Sequence, residues 1–274
     1  MSNEWHAENH GSADFPLHTS GCMPRLVTLM AREMVSALLF DFGGTLDGPL
    51  HWLDRFLAQY RVAGIEITRA ELEVAFGHAT QAGYRAGRVI RGFGIVDLIR
   101  FLVGNQIEFL AREGPPRLSA TFGSLDAKGR HRTVEQIAGG FIAATREGLD
   151  ANREILRALK RRFRIGVVSN FYGNLERILE EASMTKMIDS ITDSSQAGVF
   201  KPQPGIFEAA LRTLRVAPAS AAMVGDSPDK DCLPARQLGL TTVWYCAGGL
   251  GDGRHCASAD FTIASLGELE SIRW

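Results

Sequence analysis

Little in the chain favours a membrane, a nucleic acid or a disulfide scaffold. No apolar run approaches the ~20 residues a helix needs to cross a bilayer. Lys and Arg (30) nearly balance Asp and Glu (31). The formal net charge of -1 therefore sets up no global field toward nucleic acid or an anionic membrane. The four cysteines of the 274 residues, Cys22, Cys232, Cys246 and Cys256, show no C-x-x-C spacing. Neither a disulfide framework nor a zinc site is expected, and a reducing cytoplasm is the compartment they fit. Internal repeats and low-complexity segments are also missing. What is present is a chain that is 45% hydrophobic, ordinary for a soluble protein with a core, and long enough for one large domain or one domain plus a modest second module.

Residues 1–33 read differently from the rest. They carry His6, His10 and His18 among small and polar residues, with no basic-then-apolar signal sequence. They are expected to be a disordered extension, or sequence upstream of an initiator at Met34. The three histidines are read as solvated tail residues rather than metal ligands.

From Val35 onward, short apolar, partly β-branched runs end in polar turns, the pattern of buried strands. Val35 to Phe40 ends at Asp41 and Gly43-Gly44. Arg164 to Ser169 ends at Asn170, Ala221 to Gly225 at Asp226, and Leu240 to Tyr245 runs toward Gly248-Gly249. A last strand is expected at Asp260 to Ile263, followed by a terminal helix with a Ser265-x-x-Glu268 capping box. Helices fit between these strands. Asn174 is placed to cap one from Leu175 to Ala182, and Pro204 to start one carrying Phe207, Leu211 and Leu214 on one face. A third runs from Asp229 to Leu238 and closes at Gly239. Alternation of this kind predicts an α/β fold: a doubly wound, mostly parallel sheet with ligands at the carboxyl ends of its strands. Asp41, Ser169 and Asp226 all fall at such ends.

Between about residues 48 and 149 the periodicity is helical without convincing strands. The capping box Thr68-x-x-Glu71 opens one helix, Ile95 to Ala111 forms another, Gly114 to Arg132 reads as a loop, and Thr133 to Arg146 as a further helix. The expected organisation is a core of residues 34–47 and 150–274, with a helical cap of residues 48–149 inserted after the first strand.

Four clusters then stand in order: Asp41-Phe-Gly-Gly-Thr45-Leu-Asp47, Ser169-Asn170, Lys201-Pro202, and Gly225-Asp226-Ser-Pro-Asp-Lys-Asp231. Singly each has an ordinary reading, because Asp at a strand end often caps a helix and Ser-Asn often forms a turn. Together they resemble the four motifs of the haloacid dehalogenase superfamily, from about Val35 to the C-terminus, and the helical insertion is similar to that superfamily's type-1 cap. The resemblance implies an Mg2+-dependent phosphohydrolase acting on a small phosphorylated metabolite through an aspartyl-phosphate. It implies Asp41 as nucleophile, Lys201 as the cation beside it, and Ser169, Asn170 and Thr45 as hydrogen-bonding groups for the phosphoryl oxygens. Asp41, the Gly43 carbonyl and Asp226 would hold magnesium, with Asp231 orienting the site. Such chemistry asks the protein chiefly to position an in-line nucleophile and neutralise charge.

One residue departs from that pattern. Phosphatases of the superfamily usually carry a second Asp where this chain has Gly43. A glycine retains a backbone carbonyl for the metal but has no group to protonate the leaving oxygen or activate water, a loss of typically ~10²–10⁴-fold. Three resolutions are open: a substrate with a good leaving group, a replacement acid–base at Asp47 or His51, or a weak or inactive relative that binds phosphorylated ligands. A phosphotransferase is a further alternative. Dehalogenase chemistry, which needs no magnesium, fits poorly with Asp226 and Asp231. Gly83, Gly87, Gly92 and Gly94 interleave with Arg85, Arg88 and Arg91, which are read as exposed arginines or as a basic loop toward an anionic substrate. The expected partner is the small-molecule substrate, with no nucleic acid and no membrane, in a monomer or homodimer.

Overall fold

The computed structural model describes residues 34–247 and 255–274. The expectations for residues 1–33, with His6, His10, His18 and Cys22, and for Gly248-Gly249 concern residues outside that set. The apolar runs form strands β1 (Ala37–Phe40), β2 (Arg164–Ser169), β3 (Ser190–Asp193), β4 (Ala221–Gly225), β5 (Thr241–Tyr245) and β6 (Phe261–Ile263). They make one sheet in the order β3-β2-β1-β4-β5-β6, and every pairing is parallel. Both faces are covered, which explains why the strands read as continuous apolar runs. Leu38 and Phe40 of β1 pack into one core cluster with Ile165, Val224 and residues of the helical insertion. Ala37 and Leu39 face the second cluster, with Phe207 and Leu211.

The insertion after β1 is helical: α1 (Trp52–Val62), α2 (Arg69–Ala86), α3 (Arg88–Arg91), α4 (Ile95–Glu113), α5 (Pro116–Gly123) and α6 (Ala127–Leu159). The Thr68 capping box is formed. The expected loop from Gly114 to Arg132 is instead largely helix. Pro116 occupies the first turn of α5, where its missing N–H costs nothing, and Asp126 caps α6 by accepting from Gly129 N–H. Nor does α6 stop near residue 146: its apolar face continues to Leu156 and Leu159, so the boundary expected at 149/150 falls inside one helix.

After the insertion come α7 (Leu175–Glu181), α8 (Ser194–Ala197), α9 (Pro204–Leu214) and α10 (Leu233–Gln237). Asn174 does not cap α7 with its side chain. Its Nδ2 donates to the Phe93 carbonyl at 3.0 Å, and Glu181 of α7 accepts from Ile95 N–H at 3.2 Å, so this edge of the sheet grips the start of α4. At the other end Asn152 Nδ2 donates to the Leu46 carbonyl at 2.9 Å, fixing α6 to the loop after β1. The terminal Ser265 capping box is present over a 3₁₀ turn, Leu266–Glu270, rather than an α-helix. All described residues lie within one compact unit, Glu33–Trp274.

Candidate active site

Strand β1 lies between β2 and β4, and the chain first builds the sheet to one side of it and then to the other. This is the switch point at which a doubly wound sheet opens a crevice. Asp41 extends β1 by one residue, its N–H donating to the Val224 carbonyl at 2.9 Å. A wide turn over Phe42–Leu46 follows, closed by Asp47 N–H on the Phe42 carbonyl at 3.1 Å. Gly44 in that turn has φ +85°, and a Cβ there would lie 2.5 Å from Asp226 Oδ2. Glycine is thus required both by conformation and by space.

All four clusters meet at Asp41 and Asp231. Ser169 Oγ donates to Asp41 Oδ1 at 2.9 Å, and Lys201 Nζ donates to the same oxygen at 2.6 Å. Lys201 Nζ also donates to Asp231 Oδ1 at 2.7 Å, while Ser227 N–H donates to Asp231 Oδ2 at 3.0 Å. Among the described residues nothing donates to Asp41 Oδ2, so one carboxylate oxygen is held and the other is open. Burial alone would lower the Lys201 pKa, but Asp231 and Asp41 together raise it above its ordinary value, so it remains an ammonium. Asp226 is pushed up to about 8 by burial, then by the charges of Asp41 and Asp231. Asp231 is pushed up to about 6, chiefly by burial and against the pull of Lys201. Asp41, Asp226 and Asp231 offer ligand oxygens within 4.8 Å of one another. Three carboxylates around one ammonium leave the site short of positive charge, which a divalent cation would supply.

The remaining candidates separate. Gly43 lines the cavity over these groups. Asn170 lines it too, but its amide is committed to the Lys201 backbone: Oδ1 accepts Lys201 N–H at 2.7 Å and Nδ2 donates to the Lys201 carbonyl at 3.0 Å. Its side chain therefore positions Lys201 rather than reaching a phosphoryl oxygen. Thr45 is fully buried beneath the turn and does not line the cavity.

The two candidate acid–base residues are both otherwise engaged. Asp47 is fully buried. Its Oδ1 accepts from Gly44 N–H at 2.8 Å and Arg55 Nη2 at 3.1 Å, and its Oδ2 from Trp52 Nε1 at 2.6 Å and Arg55 Nη1 at 2.9 Å. Burial raises its pKa and Arg55 opposes the rise. With four donors and no acceptor around it, Asp47 is a structural carboxylate outside the cavity lining. His51 does line the cavity, but its Nδ1 accepts from Leu53 N–H at 3.2 Å as the N-cap of α1. Burial, then Lys230, lowers its pKa. The neutral ring that results carries its proton on Nε2, since Nδ1 is the acceptor. That tautomer has no lone pair to offer as base toward the cavity and no labile proton to give as acid.

The cavity holds about 190 Å³, and sequence reasoning missed its upper wall. Phe76, Thr80 and Tyr84 of α2 line it, with Trp52 at the start of α1 and Phe171 and Tyr172 after β2. The first three recur at i, i+4 and i+8, a spacing that puts them on one helix face and was available as a signal. Arg85, Arg88 and Arg91 are exposed and do not line the cavity, which corrects the basic-loop alternative. Cys232 is buried in a small cluster with Trp244, Cys246 and Cys256.

The family model for haloacid dehalogenase-like hydrolases matches residues 35–239. Haloacid dehalogenase-like hydrolase domain-containing protein 3 of Bos taurus is 36% identical over 120 residues, 43% of this chain and 48% of that protein. Phosphoserine phosphatase of Thermus thermophilus is 32% identical over 148 residues, 53% of this chain and 59% of that protein. The chain thus spans about half the length of the curated relatives it matches. Among solved structures, a dehalogenase crystallised with an intermediate complex superposes with TM-score 0.57 at 18% identity, covering 87% of this chain and 97% of that one. That likeness is one of fold.

Proposed function

The chain belongs to the haloacid dehalogenase-like hydrolase family, and on that ground we propose that it is a phosphohydrolase of small phosphorylated metabolites with Asp41 as its nucleophile. The observation that carries this reading is the geometry at Asp41. One carboxylate oxygen is fixed by Ser169 and Lys201 while the other is open to the cavity. Phosphoryl transfer needs an in-line oxygen nucleophile and fixed positive charge against the equatorial phosphoryl oxygens. Asp41 would attack phosphorus and form an aspartyl-phosphate. Ser169 would turn its hydroxyl to a phosphoryl oxygen as attack through the open oxygen leaves Oδ1, which it binds, an uncharged carbonyl of the acyl phosphate. Lys201, held by Asn170 through its backbone and by Asp231 through Nζ, would neutralise charge that develops there.

Magnesium fits the donor set, since it prefers oxygen ligands and keeps several waters. Asp41, the Gly43 carbonyl and Asp226 would hold it, and Asp231 would stand behind them. When bound, it would supply charge neutralisation on the phosphoryl oxygens.

Purified protein with magnesium should release phosphate from at least one acyl, anomeric or phenolic phosphate, and Asp41→Asn should abolish the release. Beryllium fluoride should occupy Asp41 in a magnesium-dependent manner. No turnover across such a panel, with no fluoride complex, would sink the reading. The engagement of both Asp47 and His51 favours a second one, a phospholigand-binding protein without turnover, which predicts magnesium-dependent binding and no phosphate release. A phosphotransferase would be told apart by phosphate passing to an acceptor other than water.

A further inference from the structure

We propose that the substrate is an aryl phosphate, a phosphomonoester whose leaving oxygen is bonded directly to a single aromatic ring. This rests on the phosphohydrolase reading and narrows it. Two features of the cavity lead there independently.

The first is its wall. Above Asp41 the cavity is closed by Trp52, Phe76, Thr80, Tyr84, Phe171 and Tyr172. Their rings brace one another: Trp52 meets Phe171 edge-on at 5.7 Å between centroids, and Tyr84 meets Tyr172 at 5.0 Å. A rigid aromatic sleeve offers ring faces and edges to an aromatic guest. The lysines that line the cavity, Lys201 and Lys230, both come from the sheet side; the helical insertion contributes His51 and no Lys or Arg to the lining. On the side of the helical insertion, a leaving group carrying its own carboxylate or second phosphate would find no cation, and the aromatic wall would desolvate it there without a partner. The size sets a bound: the 190 Å³ must also seat the phosphoryl group over Asp41, which limits the leaving group to a single small ring.

The second is that none of the three positions weighed for acid–base work offers a proton to the leaving oxygen. Gly43 has no side chain, Asp47 is sealed in its pair with Arg55, and His51 spends Nδ1 on a helix cap. An aliphatic alkoxide leaves poorly without protonation. A phenol ionises near pH ~10, many units below an aliphatic alcohol, and its oxide departs with little help. In the reaction, a bond forms between an Asp41 carboxylate oxygen and phosphorus while the bond from phosphorus to the aryl oxygen breaks. The electron pair leaves on the aryloxide, which takes a proton from solvent. Water then attacks phosphorus, returning Asp41 as carboxylate and releasing inorganic phosphate, and the proton of that water goes to solvent.

Phenyl phosphate and benzyl phosphate test this directly, because they share the ring and differ in whether the leaving oxygen is aryl or alkyl. With magnesium, kcat/KM for phenyl phosphate should exceed that for benzyl phosphate by at least ~10², and should exceed that for phosphoserine and a nucleoside monophosphate by as much. Phe76→Ala and Tyr84→Ala should each raise KM for phenyl phosphate about three- to tenfold, with little change in kcat. Benzyl phosphate or phosphoserine turned over within about threefold of phenyl phosphate would overturn the aryl class and leave the phosphohydrolase reading standing. No release from any of them, with no phosphorylated Asp41 by mass spectrometry, would instead defeat that reading and this proposal with it.

Discussion

Gly43 and Trp52 share one volume: a Cβ placed on Gly43 would lie 3.2 Å from Trp52 Nε1. Backbone conformation does not demand the glycine, since φ -76° and ψ 115° suit any residue. Gly44 beside it differs, being held at positive φ against Asp226. Trp52 cannot readily yield. Its indole N–H donates to Asp47 at 2.6 Å, and its ring meets Phe56, Phe141 and Phe171 edge-on. The missing acid–base residue and the indole against its place are therefore one structural choice.

Restoring the acid should then require two changes. Gly43→Asp alone is expected to lower the melting temperature and to leave turnover of alkyl phosphates flat. Gly43→Asp with Trp52→Ala should raise alkyl phosphate kcat/KM above that of either single variant, by up to ~10², although Trp52→Ala alone costs packing. A tenfold or greater gain from Gly43→Asp by itself, roughly 1.4 kcal/mol of barrier, would contradict the shared-volume account.

The Asp47–Arg55 pair should behave as a buried structural ion pair. Both side chains are nearly inaccessible, at 0% and 4% exposure, and Arg55 also donates to Thr145 Oγ1 at 2.8 Å and lies over the Phe141 ring at 4.8 Å. Asp47→Ala leaves the guanidinium buried without its counter-charge and should cost about 3–5 kcal/mol in urea unfolding. Asp47→Ala with Arg55→Met should cost less than the sum of the two single changes. The pH–rate profile of folded Asp47→Asn should keep the wild-type shape; loss of one limb would return Asp47 to the chemistry.

Much of this site is legible in the sequence, and the reason is local. Asp41, Ser169 and Asp226 each end an apolar strand, and parallel strands put their carboxyl ends together whatever the loops do. Strand β3 is not legible there, because Ser-Ile-Thr-Asp offers one large apolar residue in four and its place is set by pairing with β2. The loop expected around Pro115-Pro116 fails because Pro at a first turn starts a helix as readily as it ends one. The fates of Asp47 and His51 depend on how α1 folds back over the turn, which brings Trp52 and Arg55 onto Asp47 and puts His51 at a helix start. Spacing alone carries no such information.

His51 gives a pH test with a defined sign. Burial lowers its pKa in the folded chain from an ordinary 6.5, so below that value the unfolded chain binds more protons than the folded one. The stabilisation is full above pH 6.5 and is lost as pH falls from there toward the folded pKa. Unfolding free energy measured between about pH 5 and pH 7 should rise with pH more steeply in the wild type than in His51→Asn. An Asn can still accept from Leu53 N–H, so stability at neutral pH should stay close to wild type in His51→Asn and fall by ~1 kcal/mol in His51→Ala. An identical slope in all three proteins would show that His51 is not held neutral.

Gly43 should also leave its mark on the second half of the reaction. The residue missing there would normally activate the water that attacks the aspartyl-phosphate, so breakdown of that intermediate is slowed for every substrate alike. With a good leaving group the first step outruns it and phosphorylated Asp41 accumulates. Rapid mixing with aryl phosphates should show a burst of phenol, close to one per enzyme, followed by a slower steady state. Among substituted phenyl phosphates kcat should be nearly constant, because it reports the shared second step. Over the same series kcat/KM should fall as the phenol becomes less acidic, because it reports the first. An added alcohol acceptor should raise kcat if it can reach the phosphorylated Asp41 through the cavity, whereas phenol release without a burst, at a kcat that follows phenol acidity, would place the slow step at the leaving oxygen instead.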